Sequence, residues 1–308
     1  MASVQMNLLA MLLRIVYKPR FATAAAGRAM LARRKRSSEP PRSLTRRCSV
    51  HSARVGGFDV HLVRANDAPV DADQRPAVVY LHGGAYCNEI VAQHWSLIAD
   101  LAEHTGAEVH VPIYGLTPQH TGLEARAFVM EVLAGLAEAG RPVHLIGDSS
   151  GGGLALIAAQ ASADRDEVQL TGATLIAPWL DLSMSNPGVD AVEQTDPWLT
   201  RAGLRPIAEA WAAGADVHDP RLSPINGELR GLPPIDVWVG TRDITVPDCR
   251  ALRDRLPAAS LAGYHELDGA VHVTPLLPVP EGRASRRSIV EGVARRLADA
   301  SRWAAGPR

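Results

Sequence analysis

Three residues that could together perform nucleophilic catalysis each follow a predicted strand of this 308-residue sequence. Ser149 lies in GDSSG at 147–151, which matches G-x-S-x-G and stands between a predicted strand and a predicted helix. Asp243 and His272 each follow a later predicted strand. A serine hydroxyl needs a base to remove its proton, and that base needs an acid to orient it. We therefore predict Ser149 as nucleophile, His272 as base and Asp243 as acid.

A glycine-rich loop, HGGAY at 82–86, directly follows the apolar run AVVYL at 77–81. Consecutive glycines allow backbone N–H groups to approach a ligand closely. Attack on an ester carbonyl creates an oxyanion, and each preorganised donor to it contributes about 3–4 kcal/mol. The loop therefore predicts an oxyanion hole, whose donors would be the N–H groups of Gly83, Gly84, Ala85 and Ser150.

Neighbouring titratable residues fit supporting roles or offer alternatives. His82 is predicted to fix the glycine-rich loop by hydrogen bonding, and Asp148 to brace the turn at the nucleophile. Asp248 is an alternative acid, but it falls inside the next predicted helix. His265 is an alternative base, but it falls within a predicted strand. An ordinary glycine-rich packing turn remains the alternative interpretation of both glycine-rich segments.

The elements that must position these groups alternate between short apolar segments and helical segments. Such alternation predicts an α/β fold with a mostly parallel central sheet of about eight strands and helices on both faces. Ligands of such sheets bind beyond the carboxyl ends of the strands, where the candidate residues lie. The strands are predicted at 47–53, 57–64, 77–81, 107–113, 142–147, 172–177, 235–240 and 261–266.

Two segments depart from this alternation of strands and helices. Residues 183–225 contain several prolines and no strand alternation, which is typical of an insertion over the sheet edge that acts as a helical lid. Residues 6–16, MNLLAMLLRIV, predict an amphipathic helix. This apolar run is followed, not preceded, by positive charge, unlike a secretory signal. No stretch reaches the roughly 18–20 apolar residues of a membrane span.

The net charge of −1 conceals a basic N-terminal region. Residues 1–54 carry twelve Lys or Arg residues and one acid, Glu39, which gives this segment a charge of +11. No nucleic-acid motif accompanies it, so no nucleic-acid partner is predicted. Weak contact of this basic arm with a membrane surface stays open, as does a homodimer. The other reading is a set of solvated, arginine-faced helices.

The cysteines argue for a reducing compartment. They are odd in number and widely spaced, which is not typical of a disulfide framework or of a metal site. We therefore expect a cytoplasmic protein, with a peripheral position at the membrane left open. No metal or organic cofactor is predicted. The three residues are Cys48, Cys87 and Cys249.

Several further motifs accompany the candidate site residues. They are APWLDLS (177–183), DPRLSP (219–224) and GLPP (231–234). With HGGAY, GDSSGG and the chain order Ser149, Asp243, His272, the sequence over roughly 55–300 resembles the hormone-sensitive-lipase-like (HGGG-type) esterase and lipase branch of the α/β-hydrolase fold.

The resemblance implies a function and a domain organisation. It implies serine-dependent hydrolysis of carboxylic esters with short-to-medium acyl chains through an acyl-enzyme, without a cofactor. It also implies a core of residues 47–182 and 226–308 covered by a lid, in which an N-terminal helical segment, 1–46, joins the insertion 183–225. The sequence departs from the family at Ala85, which replaces the third glycine of HGGG. Because alanine tolerates most conformations other than φ > 0, we expect the oxyanion hole to stay intact.

Three other functions remain open at this point. An amide hydrolase of the aryl-formamidase type would share the H-G-G loop. A non-catalytic small-molecule receptor on the same fold would usually lose a member of the triad, whereas this sequence retains all three. A membrane-surface scaffold would use the basic arm and would not need Ser149.

Overall fold

Eight strands pair into one sheet in the part of the chain that the structure describes. The computed structural model describes residues 2–68, 76–163 and 168–304, with side chains described as far as residue 300. The strands are β1 Cys48–Val55, β2 Phe58–Ala65, β3 Ala77–Leu81, β4 Glu108–Pro112, β5 Val143–Asp148, β6 Leu170–Ile176, β7 Ile235–Gly240 and β8 Leu261–Leu267. Their order is β1-β2-β4-β3-β5-β6-β7-β8. Strand β2 pairs antiparallel with β1 and β4, and the remaining pairs are parallel.

Helices connect the strands and cover both faces of the sheet, which confirms the predicted fold class. They are α1 Val4–Val16, α2 Ala24–Ala32, α3 Ala92–Thr105, α4 Gly122–Glu138, α5 Ser150–Ser162, α6 Val189–Thr195, α7 Arg201–Ala212, α8 Val246–Arg255 and α9 Pro280–Ala304. Among the described residues, no helix is both long enough and apolar enough to cross a membrane.

Strand β3 shows why the central strands are continuous apolar runs. Its five residues are all buried, because consecutive side chains point to opposite faces and each face is covered by helices. Val79 belongs to the core cluster that includes Leu133 of α4 and Leu154 of α5. Val78 belongs to the cluster on the other face, which includes residues of α3 and α9 such as Val290.

The edge of the sheet is an antiparallel hairpin. Gly56 and Gly57 have φ of 54° and 85°, a region that glycine enters without steric cost, and they join Val55 to its partner Phe58. The turn lies at the junction of the strands predicted at 47–53 and 57–64. Strands β3 and β7 begin and end at the predicted residues.

The N-terminal segment (residues 2–46) packs against the insertion (residues 183–225). Helix α2 lies against α7 so closely that a Cβ on Gly27 would collide with the carbonyl of Gly203. The hydroxyl of Thr200 donates to the carbonyl of Phe21 at the same contact. Helix α1 packs in turn on Ala270 and Val271, beside His272. The two segments therefore form one layer next to the carboxyl ends of the strands.

Candidate active site

Ser149 occupies a sharp turn between β5 and α5. Its φ of 52° and ψ of −122° are strained for a residue with a side chain, and this strain is a feature of a nucleophile elbow. The turn requires glycine on both sides. A Cβ on Gly151 would collide with the carbonyl of Leu81, and one on Gly147 would collide with the backbone of Gly151. The turn places the Ser149 hydroxyl at the N-terminus of α5.

The structure brings together the three predicted catalytic side chains, which come from three separate loops. His272 Nε2 lies 2.9 Å from Ser149 Oγ, and His272 Nδ1 lies 2.9 Å from Asp243 Oδ2. All three residues are buried. The other carboxylate oxygen of Asp243 accepts from the backbone N–H and the hydroxyl of Thr245, at 3.0 and 2.9 Å. This arrangement fixes the imidazole with Nδ1 protonated and Nε2 free to accept the serine proton.

The surroundings of His272 tune its basicity. Burial lowers the pKa of His272, but the Asp243 carboxylate, through its charge and its hydrogen bond, more than reverses this effect, so that the pKa lies above its ordinary value of 6.5. The charge of Asp196 acts in the same direction. A base with a raised pKa accepts a proton from serine more readily than a free imidazole does.

Three of the four backbone N–H groups predicted for the oxyanion hole could serve it. Those of Gly84, Ala85 and Ser150 have no protein acceptor among the described residues. Gly83 differs from the prediction, because its N–H donates to Asp148 Oδ1 at 3.0 Å and so shapes the loop instead of offering a donor. The expectation for Ala85 was also wrong in one respect. Its φ is 51°, in the left-handed region that alanine disfavours.

Asp148 and His82 lie where supporting residues would be needed. Asp148 accepts from Tyr80 at 2.7 Å and contacts His94 at 3.2 Å, in addition to its bond with the glycine-rich loop. Burial raises the pKa of Asp148, but the charge and hydrogen bond of His94 outweigh it and leave that pKa below its ordinary value. His82 stacks on Tyr114 and donates to the carbonyl of Gly83 at 2.7 Å. Burial lowers the pKa of His82 to about 4, so this ring is neutral at pH 7.

The alternative acid and base lie elsewhere. Asp248 is in α8 and accepts from Asn186 at 2.9 Å. His265 is in β8, where it contacts Asp236 at 3.0 Å and stacks on Trp238. Within the described ranges, neither side chain is hydrogen-bonded to Ser149 or His272, so the geometry favours Asp243 and His272.

Sequence reasoning missed Asp196, a fully buried acid of the insertion. One of its oxygens accepts from the N–H groups of Trp198 and Leu199, at 2.6 and 2.9 Å. The other accepts from the N–H of Ile244, next to Asp243, at 2.8 Å. Burial and the charge of Asp243 raise the pKa of Asp196 to about 6. In the sequence Asp196 is an acid three residues before a leucine, a pattern that identifies no partner.

Aromatic side chains join the insertion to the site. Trp198 approaches the ring of His272, and Tyr17 of the N-terminal segment packs edge-on against Trp198. Tyr86, at the end of the glycine-rich loop, stacks on Trp211 of α7 with 4.2 Å between ring centroids. The nucleophile, hydrogen-bonded to His272, is only 8% exposed.

The geometry suits covalent catalysis with a serine nucleophile. A buried hydroxyl, a base, an orienting acid and backbone donors are the groups that acyl transfer to serine requires. Within the described ranges, no group of three or more His, Cys, Asp or Glu side chains could hold a metal ion.

Comparison with known proteins identifies the family of this chain. A sequence profile of the alpha/beta hydrolase fold matches residues 78–276. An acetyl-hydrolase of Streptomyces hygroscopicus is 34% identical over 223 residues, which cover 70% of this chain and 74% of that protein. An esterase of Acinetobacter venetianus is 29% identical over 209 residues, 67% of this chain and 69% of that one.

Solved structures extend the similarity to nearly the whole chain. The superposition on a crystal structure of an esterase/lipase from an uncultured bacterium covers 96% of this chain and 100% of that chain, with a TM-score of 0.79 and 24% identity. A crystal structure of an esterase from the bacterial hormone-sensitive lipase family has the same coverage, with a TM-score of 0.77 and 23% identity. At these identities the likeness shows the shared fold. The chain belongs to the α/β-hydrolase family, in the hormone-sensitive-lipase-like branch that its motifs indicate, and it is a hydrolase of the carboxylesterase type.

Proposed function

We propose that this protein hydrolyses carboxylic esters by a serine mechanism through an acyl-enzyme. The observation that carries this proposal is the unbroken hydrogen-bonded chain from Ser149 through His272 to Asp243. Ser149 Oγ attacks the ester carbonyl carbon while His272 Nε2 takes the hydroxyl proton. Asp243 holds the imidazole in the required tautomer and stabilises the imidazolium that forms.

The tetrahedral intermediate is stabilised by backbone donors. Its oxyanion accepts from the N–H groups of Gly84, Ala85 and Ser150, and the N-terminus of α5 adds a favourable dipole. His272 then gives its proton to the leaving alkoxide oxygen, which releases the alcohol. Water enters, loses a proton to His272 and attacks the acyl-enzyme, so that a carboxylic acid leaves and Ser149 is restored.

The substrates that we propose have short-to-medium acyl chains. Two observations support this part: the similarity to an acetyl-hydrolase and an esterase, and the aromatic cover that leaves Ser149 only 8% exposed. A long acyl chain would have to displace Trp198, whereas an acetyl or butyryl group requires less space.

We further propose that the N-terminal segment and the insertion act together as the lid. Lys18 donates to the carbonyl of Asp196 at 2.5 Å and to that of Glu193 at 3.3 Å. These bonds add to the α2–α7 contact, so the two segments would move as one unit. Trp198, a residue of this layer whose ring contacts His272, would then select substrates.

The decisive experiment is hydrolysis of p-nitrophenyl esters from acetate to palmitate by the natural sequence and by Ser149→Ala. The wild-type protein should be most active on the shorter esters, and the kcat of Ser149→Ala should be lower by about 10⁴-fold or more. Matched anilides should react far more slowly, because an amine is a poorer leaving group than an alcohol.

Two pairs of variants provide controls. His272→Ala and Asp243→Asn should each lose most activity, whereas His265→Ala and Asp248→Asn should retain it. Inertness of the natural sequence towards every ester would refute the proposal. Rapid anilide cleavage would instead favour an amide hydrolase, and tight ligand binding without turnover a receptor.

A further inference from the structure

Exposed hydrophobic side chains are concentrated on α1. In the part of the chain that the structure describes, seven of the eight exposed large hydrophobic residues lie on this helix or at its C-cap, and Val91 is the eighth. Those on the helix form one stripe at helical spacing, with Val4, Leu8 and Ile15 exposed by 73%, 57% and 67%. We call this set the apolar stripe; it comprises Val4, Leu8, Met11, Leu12, Ile15 and Val16.

Helix α1 is apolar on two opposite faces. Met6, Ala10 and Leu13 are buried against the protein body. At 100° per residue their mean direction is roughly opposite to that of the apolar stripe. A surface helix normally carries polar residues on its outer face, and a helix that is apolar all round is normally covered. We therefore expect a binding partner, the occupant, to cover the apolar stripe.

The charge around α1 indicates what that occupant is. Residues 1–38 contain eight Lys or Arg residues and no acid. Arg14 lies on the helix between its two apolar faces and is exposed, and Arg20 follows just beyond the C-terminus. The nearby acid Glu193 is already paired with Arg201 of the insertion. An exposed apolar stripe flanked by cations matches a helix that lies in the headgroup region of an anionic bilayer.

We propose that α1 docks the protein, by the apolar stripe and the flanking cations, on the surface of an anionic lipid bilayer. The helix would lie parallel to the bilayer without crossing it. Its inner face rests on Ala270 and Val271, directly before His272. Its C-cap residue Tyr17 contacts Trp198, which contacts His272. Docking therefore brings the cover of the candidate active site to the lipid surface, where esters with alkyl chains accumulate.

The test is flotation of the full chain with vesicles of phosphatidylcholine alone or of phosphatidylcholine mixed with phosphatidylglycerol. It is performed in the Ser149→Ala background so that no lipid is hydrolysed; its result is thus independent of the proposed ester hydrolysis. We expect binding to the mixed vesicles, weaker binding at high salt, and much weaker binding to phosphatidylcholine alone. The triple variant Leu8→Asn/Met11→Asn/Ile15→Asn should bind the mixed vesicles at least about 100-fold more weakly than the parent.

The controls separate docking from folding and from self-association. The triple variant changes side chains that face solvent, so its thermal unfolding midpoint should stay close to that of the parent. Val91→Asn removes the exposed hydrophobic residue outside α1 and should bind vesicles like the parent. Absence of binding to mixed vesicles, or equal binding by the triple variant, would overturn the proposal. A second copy of the chain would be the occupant instead if sedimentation showed a dimer, if the triple variant were monomeric, and if the parent did not bind vesicles. That result would also overturn the proposal.

Discussion

The indole of Trp198 meets the imidazole of His272 edge-on, with 5.8 Å between the ring centroids and 88° between the ring planes. An aromatic pair in this geometry is favourable by about 0.5–1.5 kcal/mol beyond its burial. The contact joins a residue of the insertion to the candidate base, so it bears both on substrate selection and on the chemistry.

Replacing Trp198 by alanine should favour longer acyl chains. The lost indole leaves space next to His272, and each methylene that gains apolar contact contributes about 0.8 kcal/mol. We expect kcat/KM for octanoate relative to acetate to rise by about tenfold. Trp198→Phe, which retains an aromatic edge, should change this ratio less. An unaltered acyl-chain-length profile in Trp198→Ala would show that Trp198 does not select substrates.

The pH dependence of activity should reflect the raised pKa of His272. Only the neutral imidazole accepts the serine proton, so kcat/KM should fall as the pH falls through that pKa. Because this pKa is raised, the midpoint should lie above 6.5. Kinetics with a short p-nitrophenyl ester over a pH series would locate it. A midpoint below this value would mean that burial, not Asp243, governs His272.

Substituting Asp196 by asparagine should affect both stability and catalysis. An amide cannot accept from all three N–H groups that the carboxylate serves, and one unsatisfied buried donor costs about 1–3 kcal/mol. The charge that helps to raise the pKa of His272 is lost as well, so the acid-side midpoint of kcat/KM should move down. Denaturant unfolding and a pH series would measure the two effects. Asp190→Asn, an exposed acid of the same insertion, should show neither.

Ala85 offers a test of backbone strain in the oxyanion loop. Alanine at φ of 51° is strained by about 1–2 kcal/mol, which glycine avoids, although glycine is also more flexible when unfolded. We expect Ala85→Gly to keep esterase activity and to change stability by no more than about 1 kcal/mol. The opposite substitution, Gly84→Ala, should lower kcat by about 10²-fold or more, because its Cβ would collide with Asn88 and displace a donor. Thermal unfolding would measure the change in stability of both variants, and ester kinetics would measure their kcat.

Local sequence patterns were sufficient to predict the sheet and to nominate the candidate triad. AVVYL of β3 is apolar throughout because it is covered on both faces, and the strain at Ser149 requires the glycines that make the pentapeptide recognisable. Ser149, Asp243 and His272 follow strands β5, β7 and β8, so the parallel order of the sheet brings them to one edge.

The remaining features depend on contacts that no local pattern encodes. Asp196 acts through the backbone N–H of Ile244, and a backbone group leaves no trace in the sequence. The engagement of the Gly83 N–H and the positive φ of Ala85 are likewise set by the shape of the folded loop around Asp148. The direction of the apolar stripe on α1 also depends on tertiary packing, because the burial of the opposite face of the helix fixes which residues are exposed.

The carboxylate of Asp196 bridges the insertion and the loop that carries Asp243. It holds Trp198 and Leu199 of the insertion with one oxygen and the residue beside Asp243 with the other. The insertion therefore cannot lift at this point without releasing Ile244 or pulling its loop along. If the proposed lid opens to admit substrate, it must either give up this support beside Asp243 or carry the Asp243 loop with it, so lid opening and weakening of the triad would be coupled.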